Sequence, residues 1–150
     1  MPSLLSGAVD AAILNPEERY AAIDQGMKDL IFIGKEVRNS WGTIATADGF
    51  LKEQSKVMAG FARAVVKALR YVRQNREGAI AAATRFTELD NALVIRMYDD
   101  IAKTFTVNGV VDEQAQRNDL AIVREIAGVT EVVPIGRAYD FSFAAKQTSN

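Results

Sequence analysis

Arg38, Asn39, Ser40 and Trp41 stand in succession, and their chemistry is that of binding. The amide and hydroxyl donate and accept hydrogen bonds, the guanidinium matches a carboxylate or sulfonate, and the indole offers a flat apolar wall with one donor. Asn15, before Pro16, adds a second amide. Each residue also has a plain structural use. Asn15 is an ordinary helix N-cap, Arg38 to Ser40 are turn formers, a lone Trp belongs as well in a core, and Asp10 reads as a turn or capping residue.

Catalytic chemistry is thinly provided. The 150 residues contain no His and no Cys, which removes the usual general base near neutral pH, the commonest metal ligand, thiolate sites and disulfides. No motif organises the remaining carboxylates, Lys or Tyr into a catalytic set, so the sequence predicts no enzyme, no metal and no cofactor. Lys and Arg number 18 against 19 for Asp and Glu, leaving no net field to attract nucleic acid. The start lacks the basic region of a signal peptide, and no stretch has the ~18 apolar residues of a membrane span.

The elements that must position these residues read as α/β. Apolar runs at Val9 to Leu14 and Leu30 to Gly34, and the β-branched Thr43, Ile44 and Thr46 within Trp41 to Ala47, predict three strands, the second apolar on both faces as in a sheet covered by helices. Leu4 to Gly7 predicts a helix end, and Pro16 opens a helix reaching Gly26. From Ser55 to Gln74, Met58, Phe61, Ala62, Val65, Val66, Leu69 and Val72 recur at helical steps. Lys56, Arg63, Lys67, Arg70 and Arg73 form its opposite face, read as solvated. Helices follow over 75–86 and 90–104, the latter capped by Asp90, and another runs from its cap Asp112 to its closing Gly128. The expected architecture is a short sheet of about three strands followed by a helical C-terminal half.

The order of these pieces resembles the later half of the solute-binding proteins of ABC importers, of the nitrate, sulfonate and taurine type. Leu4 to Ala12 is similar to that family's L-x-S-G-x-V-D-A segment, and Ala45 to Leu51 to its A-T-x-x-F-L entry into a long helix. Ala68 to Val72 followed by Asn75 to Ala79, then Val110 to Asp112, Val133-Pro134 and Tyr139 to Ser142, continue the likeness in order. It implies a type II periplasmic-binding fold, in which two α/β lobes close on a solute and hand it to a membrane permease. Residues 1–14 would then be a remnant of lobe 2 and its crossover strand, and 15–150 the C-terminal part of lobe 1. Asn15, Arg38, Asn39, Ser40 and Trp41 would lie where strands end at the cleft.

The resemblance implies a periplasmic, non-enzymatic protein that binds a small organic or anionic solute. A half sheet would expose an apolar edge, so a homo-oligomer is expected. Two other readings accompany it. One is a helical interaction module that binds no solute. The other is an enzyme of the pyrimidine-precursor synthase branch of the same fold, whose active-site histidine and cysteines have no counterpart here.

Overall fold

A computed structural model describes residues 1–40 and 42–147. Among them every regular element is helical: α1 (Pro2–Leu5), α2 (Pro16–Asp24), α3 (Ile33–Glu36), α4 (Asp48–Glu53), α5 (Ser55–Gln74), α6 (Arg76–Thr87), α7 (Asn91–Ile101), α8 (Glu113–Ala127), α9 (Ile135–Ala138) and α10 (Ser142–Ala145), with a 3₁₀ turn at Ala102–Thr104.

The longer helices follow from local signals. The Asp90 carboxylate accepts from the amides of Ala92 (2.8 Å) and Leu93 (3.2 Å) to open α7. Asp112 accepts from Ala115 N–H (3.1 Å) to open α8. The Asn75 side chain accepts from Gly78 N–H (2.9 Å) at the start of α6, so each cap satisfies amides with no partner in the first turn. Gly128 closes α8 at φ 64°, a left-handed conformation that carries no Cβ penalty in glycine.

Helices α5, α6 and α7 pack on one another in sequence, α2 lies on α7, and α10 returns to α5. The core sits among them. Val66 of α5 is 2% exposed, and Ile80 of α6, Val94 of α7, and Tyr20 and Ala22 of α2 are also buried. Gly109, at φ 71°, brings the following loop so close to α5 that a Cβ there would stand 3.3 Å from Val66 Cγ2.

The α/β expectation is overturned, because no strand or sheet occurs among the described residues. The runs 9–14 and 42–47 contain no regular element, and 30–34 becomes irregular backbone leading into α3. Trp41 lies outside the described residues. A strand needs a partner ladder as well as apolar or β-branched residues. Phe32, Val37 and Ala47 do adopt extended dihedrals. Nothing among the described residues pairs with them as a ladder, and Ile13 (81%), Leu30 (79%), Ile31 and Ile44 stay exposed. The type II binding fold and the sheet edge expected to drive association go with the sheet.

The accessible surface is 11033 Å². A compact chain of this mass exposes about 7,500 Å², so the helices form an open arrangement around a small core.

Candidate functional site

The richest polar constellation is a charged seam where α2 and the segment after it meet α7. Arg19 is its centre. Its Nε donates to Asp29 Oδ2 (2.8 Å), Nη1 donates to Asp100 Oδ2 (2.6 Å), and Nη2 also donates to Asp29. The Tyr20 hydroxyl donates to Asp100 and to the carbonyl of Arg96 (3.2 Å). Arg19 and Arg96 both lie against the Tyr20 ring, 4.7 and 4.2 Å from its centroid, a geometry in which the ring's negative face attracts both cations. Arg96 is anchored in turn by Asp24 at 2.8 Å.

Asp99 and Asp100 sit in the last turn of α7, where the helix dipole disfavours negative charge. Arg76 relieves the first through a two-pronged pair with Asp99, Nε to Oδ1 at 3.0 Å and Nη2 to Oδ2 at 2.9 Å. Arg19 relieves the second. Arg73, from the α5 face expected to be merely solvated, donates to the carbonyls of Lys103 (2.6 Å), Ala102 and Phe105, at and just beyond the 3₁₀ turn that follows α7. Arg70 likewise donates to the carbonyls of Val107 and Gln147. Two residues of that basic face therefore tie the following loop and the chain's last described residue to α5.

Two concavities flank the seam and share Asp99 and Lys103. The larger, about 520 Å³, is walled by Arg19 and Asp29 with Leu30, Ile31, Phe32 and Lys35. The smaller, about 350 Å³, lies beside Arg73, Arg76 and Tyr98. Both are about half open to solvent. Lys35 and Lys103 form no ion pair within 4 Å among the described residues, but Lys35 lies over the Phe32 ring (5.9 Å) and helps lower Asp29, Lys103 helps lower Asp99, and Glu36 and Asp100 add two further carboxylates to the lining. The apolar side chains of residues 30–32 offer a wall beside them.

The protonation states around the seam are held away from neutrality. Hydrogen bonds from Arg19 lower the Asp29 carboxyl, and those from Arg76 lower Asp99. Burial first, and then the bond to Asp100, raises the Tyr20 phenol. These carboxylates stay ionised and the phenol stays protonated near pH 7, an arrangement suited to holding charge rather than to moving protons. No group of three or more acidic, His or Cys side chains placed to hold a metal occurs among the described residues.

The residues expected to face a ligand lie elsewhere. Arg38 and Ser40 strap the chain across α8. The Arg38 guanidinium pairs with Asp112 at 3.2 Å, and its carbonyl accepts from Asn118 (2.6 Å). Ser40 donates to Asp119 through both its amide (3.0 Å) and its hydroxyl, and Tyr139 donates to the same carboxylate at 3.1 Å. Asn15 precedes α2 at the cap position without a side-chain cap bond, and Asn39 is exposed. Arg38 and Ser40 are thus brought together by α8, while Asn15 and Asn39 join neither that cluster nor the seam. Sequence reasoning missed Arg19, Asp29 and Asp100 because the partners are up to 81 positions apart. The available signal was the adjacent acids Asp99 and Asp100 at a helix end that calls for cations.

No family model, curated protein or solved structure matches the chain. No helix among the described residues is long and apolar enough to cross a membrane.

Proposed function

We propose that the chain serves solute uptake by an ABC-type importer, binding a small organic or anionic solute without converting it and acting with a permease on the outer side of the membrane. The observation that carries this reading is the concavity of about 520 Å³, which sets the cations Arg19, Lys35 and Lys103 and the carboxylates Asp29, Glu36, Asp99 and Asp100 beside the apolar wall of Leu30, Ile31 and Phe32 and so offers polar groups of both signs to a small solute. The ordered likeness of the sequence segments to importer binding proteins supports it, as do carboxyl and phenol groups held away from proton transfer.

The test is thermal unfolding against sulfonates, nitrate, aromatic acids and pyrimidines. A ligand at 100 times its Kd adds about 2.7 kcal/mol of stability. A shift with one class, lost when Lys35 and Lys103 are replaced by Ala, is the expected outcome. A flat response across the panel would remove solute binding. It would leave the helical interaction module, a reading favoured by the 11033 Å² of exposed surface.

A further inference from the structure

The outer face of α5 carries charge and apolar surface that the rest of the fold does not use. Val66 marks the side of the helix that packs into the core. At about 100° per residue, Val57, Phe61, Ala64, Ala68 and Tyr71 fall on the opposite side, at alternating steps of four and three. Val57 is 55%, Phe61 46% and Tyr71 47% exposed, and the two alanines are exposed with them. Phe61, expected to face inward, therefore faces out. Beside this stripe, about a quarter of a turn round the helix, stand Lys56, Arg63 and Lys67. Arg70 and Arg73 are held by backbone carbonyls. The other three cations are exposed and make no ion pair within 4 Å among the described residues, not even with Glu53 or Glu77 in the adjoining turns. No Asp or Glu occurs within α5 to offset them.

We propose that this face of α5 docks on an anionic lipid surface, with Val57, Phe61 and Tyr71 at the boundary between headgroups and acyl chains and Lys56, Arg63 and Lys67 against the lipid phosphates. The charge of the face itself selects an anionic partner. Its relief selects a lipid surface over an acidic polypeptide. Ala64 and Ala68 keep the stripe shallow, and neither concavity includes a residue of it. A protein partner anchors its binding energy in pockets, whereas a bilayer deforms around whatever apolar side chains project and needs only cations beside them. Aromatic rings flanked by Lys and Arg are also the composition that settles at the headgroup level. The helix is not apolar enough to cross a membrane, so it lies along the surface.

This inference does not rest on the proposed solute binding, and its test contains no solute. The full chain is centrifuged with vesicles made of phosphatidylglycerol and phosphatidylcholine in equal parts, and with vesicles of phosphatidylcholine alone. Binding is expected to the first and not the second, and to be lost in 1 M salt, where the screening length falls to about 3 Å. Removing the three cations together, by Lys56→Gln, Arg63→Gln and Lys67→Gln, is expected to weaken binding about a hundredfold, at about 1 kcal/mol each. Phe61→Ser is expected to weaken it about tenfold. Lys28→Gln, Arg85→Gln and Arg124→Gln together remove the same charge from exposed positions elsewhere and are expected to change binding by less than about threefold. A native chain that ignores the anionic vesicles, or binds both kinds alike, overturns the proposal, and neither result requires a variant to fold. Equal losses in the two triple variants overturn it as well. So does soluble polyglutamate bound as tightly as the anionic vesicles, which would assign the face to an acidic polypeptide.

Discussion

Asp119 gathers the amide and hydroxyl of Ser40 and the hydroxyl of Tyr139 on one carboxylate. Replacing it with Ala leaves three donors without their acceptor in a partly buried place. The expected loss is about 2 kcal/mol, and Tyr139→Phe, which removes one donor, is expected to cost about 1 kcal/mol. Urea unfolding with an unchanged slope measures both. An Asp119→Ala midpoint equal to the parent's would mean that the 38–40 strap is not held there. The chemistry of Ser40 and Arg38 was legible in the sequence as polar and cationic. Their partners were not, because Asp119 lies 79 positions from Ser40 and no spacing rule links them. Caps are different: Asp90 and Asp112 could be read directly, since an N-cap bonds amides two or three residues ahead.

At the scale of elements, the same distinction separates the helices from the expected strands. α5 and α8 begin and end where their apolar period, caps and closing glycine place them, because helix hydrogen bonds lie within the segment. The runs at 9–14 and 30–34 carry apolar residues equally suited to a buried strand or an irregular segment, and only a distant ladder partner can choose. α7 should depend measurably on its cap. Asp90→Ala is expected to cost about 1 kcal/mol and to speed amide hydrogen exchange first in the opening turn of α7. Uniform protection along α7 in the variant would show that packing on α6, not the cap, holds that end.

Among the described residues four aspartates are held low by arginines or a backbone amide, and this shapes the molecule's response to acid. Asp24 is lowered by Arg96, Asp29 by Arg19 and Asp99 by Arg76, while Asp112 is lowered chiefly by the amide of Ala115 and then by Arg38. A carboxyl whose folded pKa lies below its unfolded value contributes stability that is full above the unfolded value, about 3.9 for Asp, and is lost as pH falls through the folded one. The melting temperature is therefore expected to be level from pH 7 to 5 and to fall below about pH 4. Asp24→Asn and Asp99→Asn are expected to flatten that acid limb, and added salt to lower the plateau only slightly, since exposed pairs are individually weak. Tyr20 and Tyr139, both raised first by burial, act in the opposite sense. Their contribution is full below the ordinary phenol value and is lost as pH rises through the folded one. A titration that shows the steepest loss between pH 5 and 7 would contradict this assignment.

The succession of α5, α6 and α7, each packed on its neighbour in the chain, also bears on how quickly the protein reaches this structure. Contacts between adjacent helices close short loops, and chains dominated by such contacts fold in microseconds to milliseconds. The three-helix stretch around Val66, Ile80 and Val94 is thus the natural nucleus. Docking of α2 through Tyr20, 76 positions from the carbonyl of Arg96, closes a much longer loop and belongs to the later part of folding. Truncations at Val94 then slow folding, whereas truncations at Tyr20 chiefly hasten unfolding. The face carrying Arg19 and its two carboxylates belongs with the other long-loop contacts, the 38–40 strap on α8 and the return of α10 to α5, to the later part of assembly.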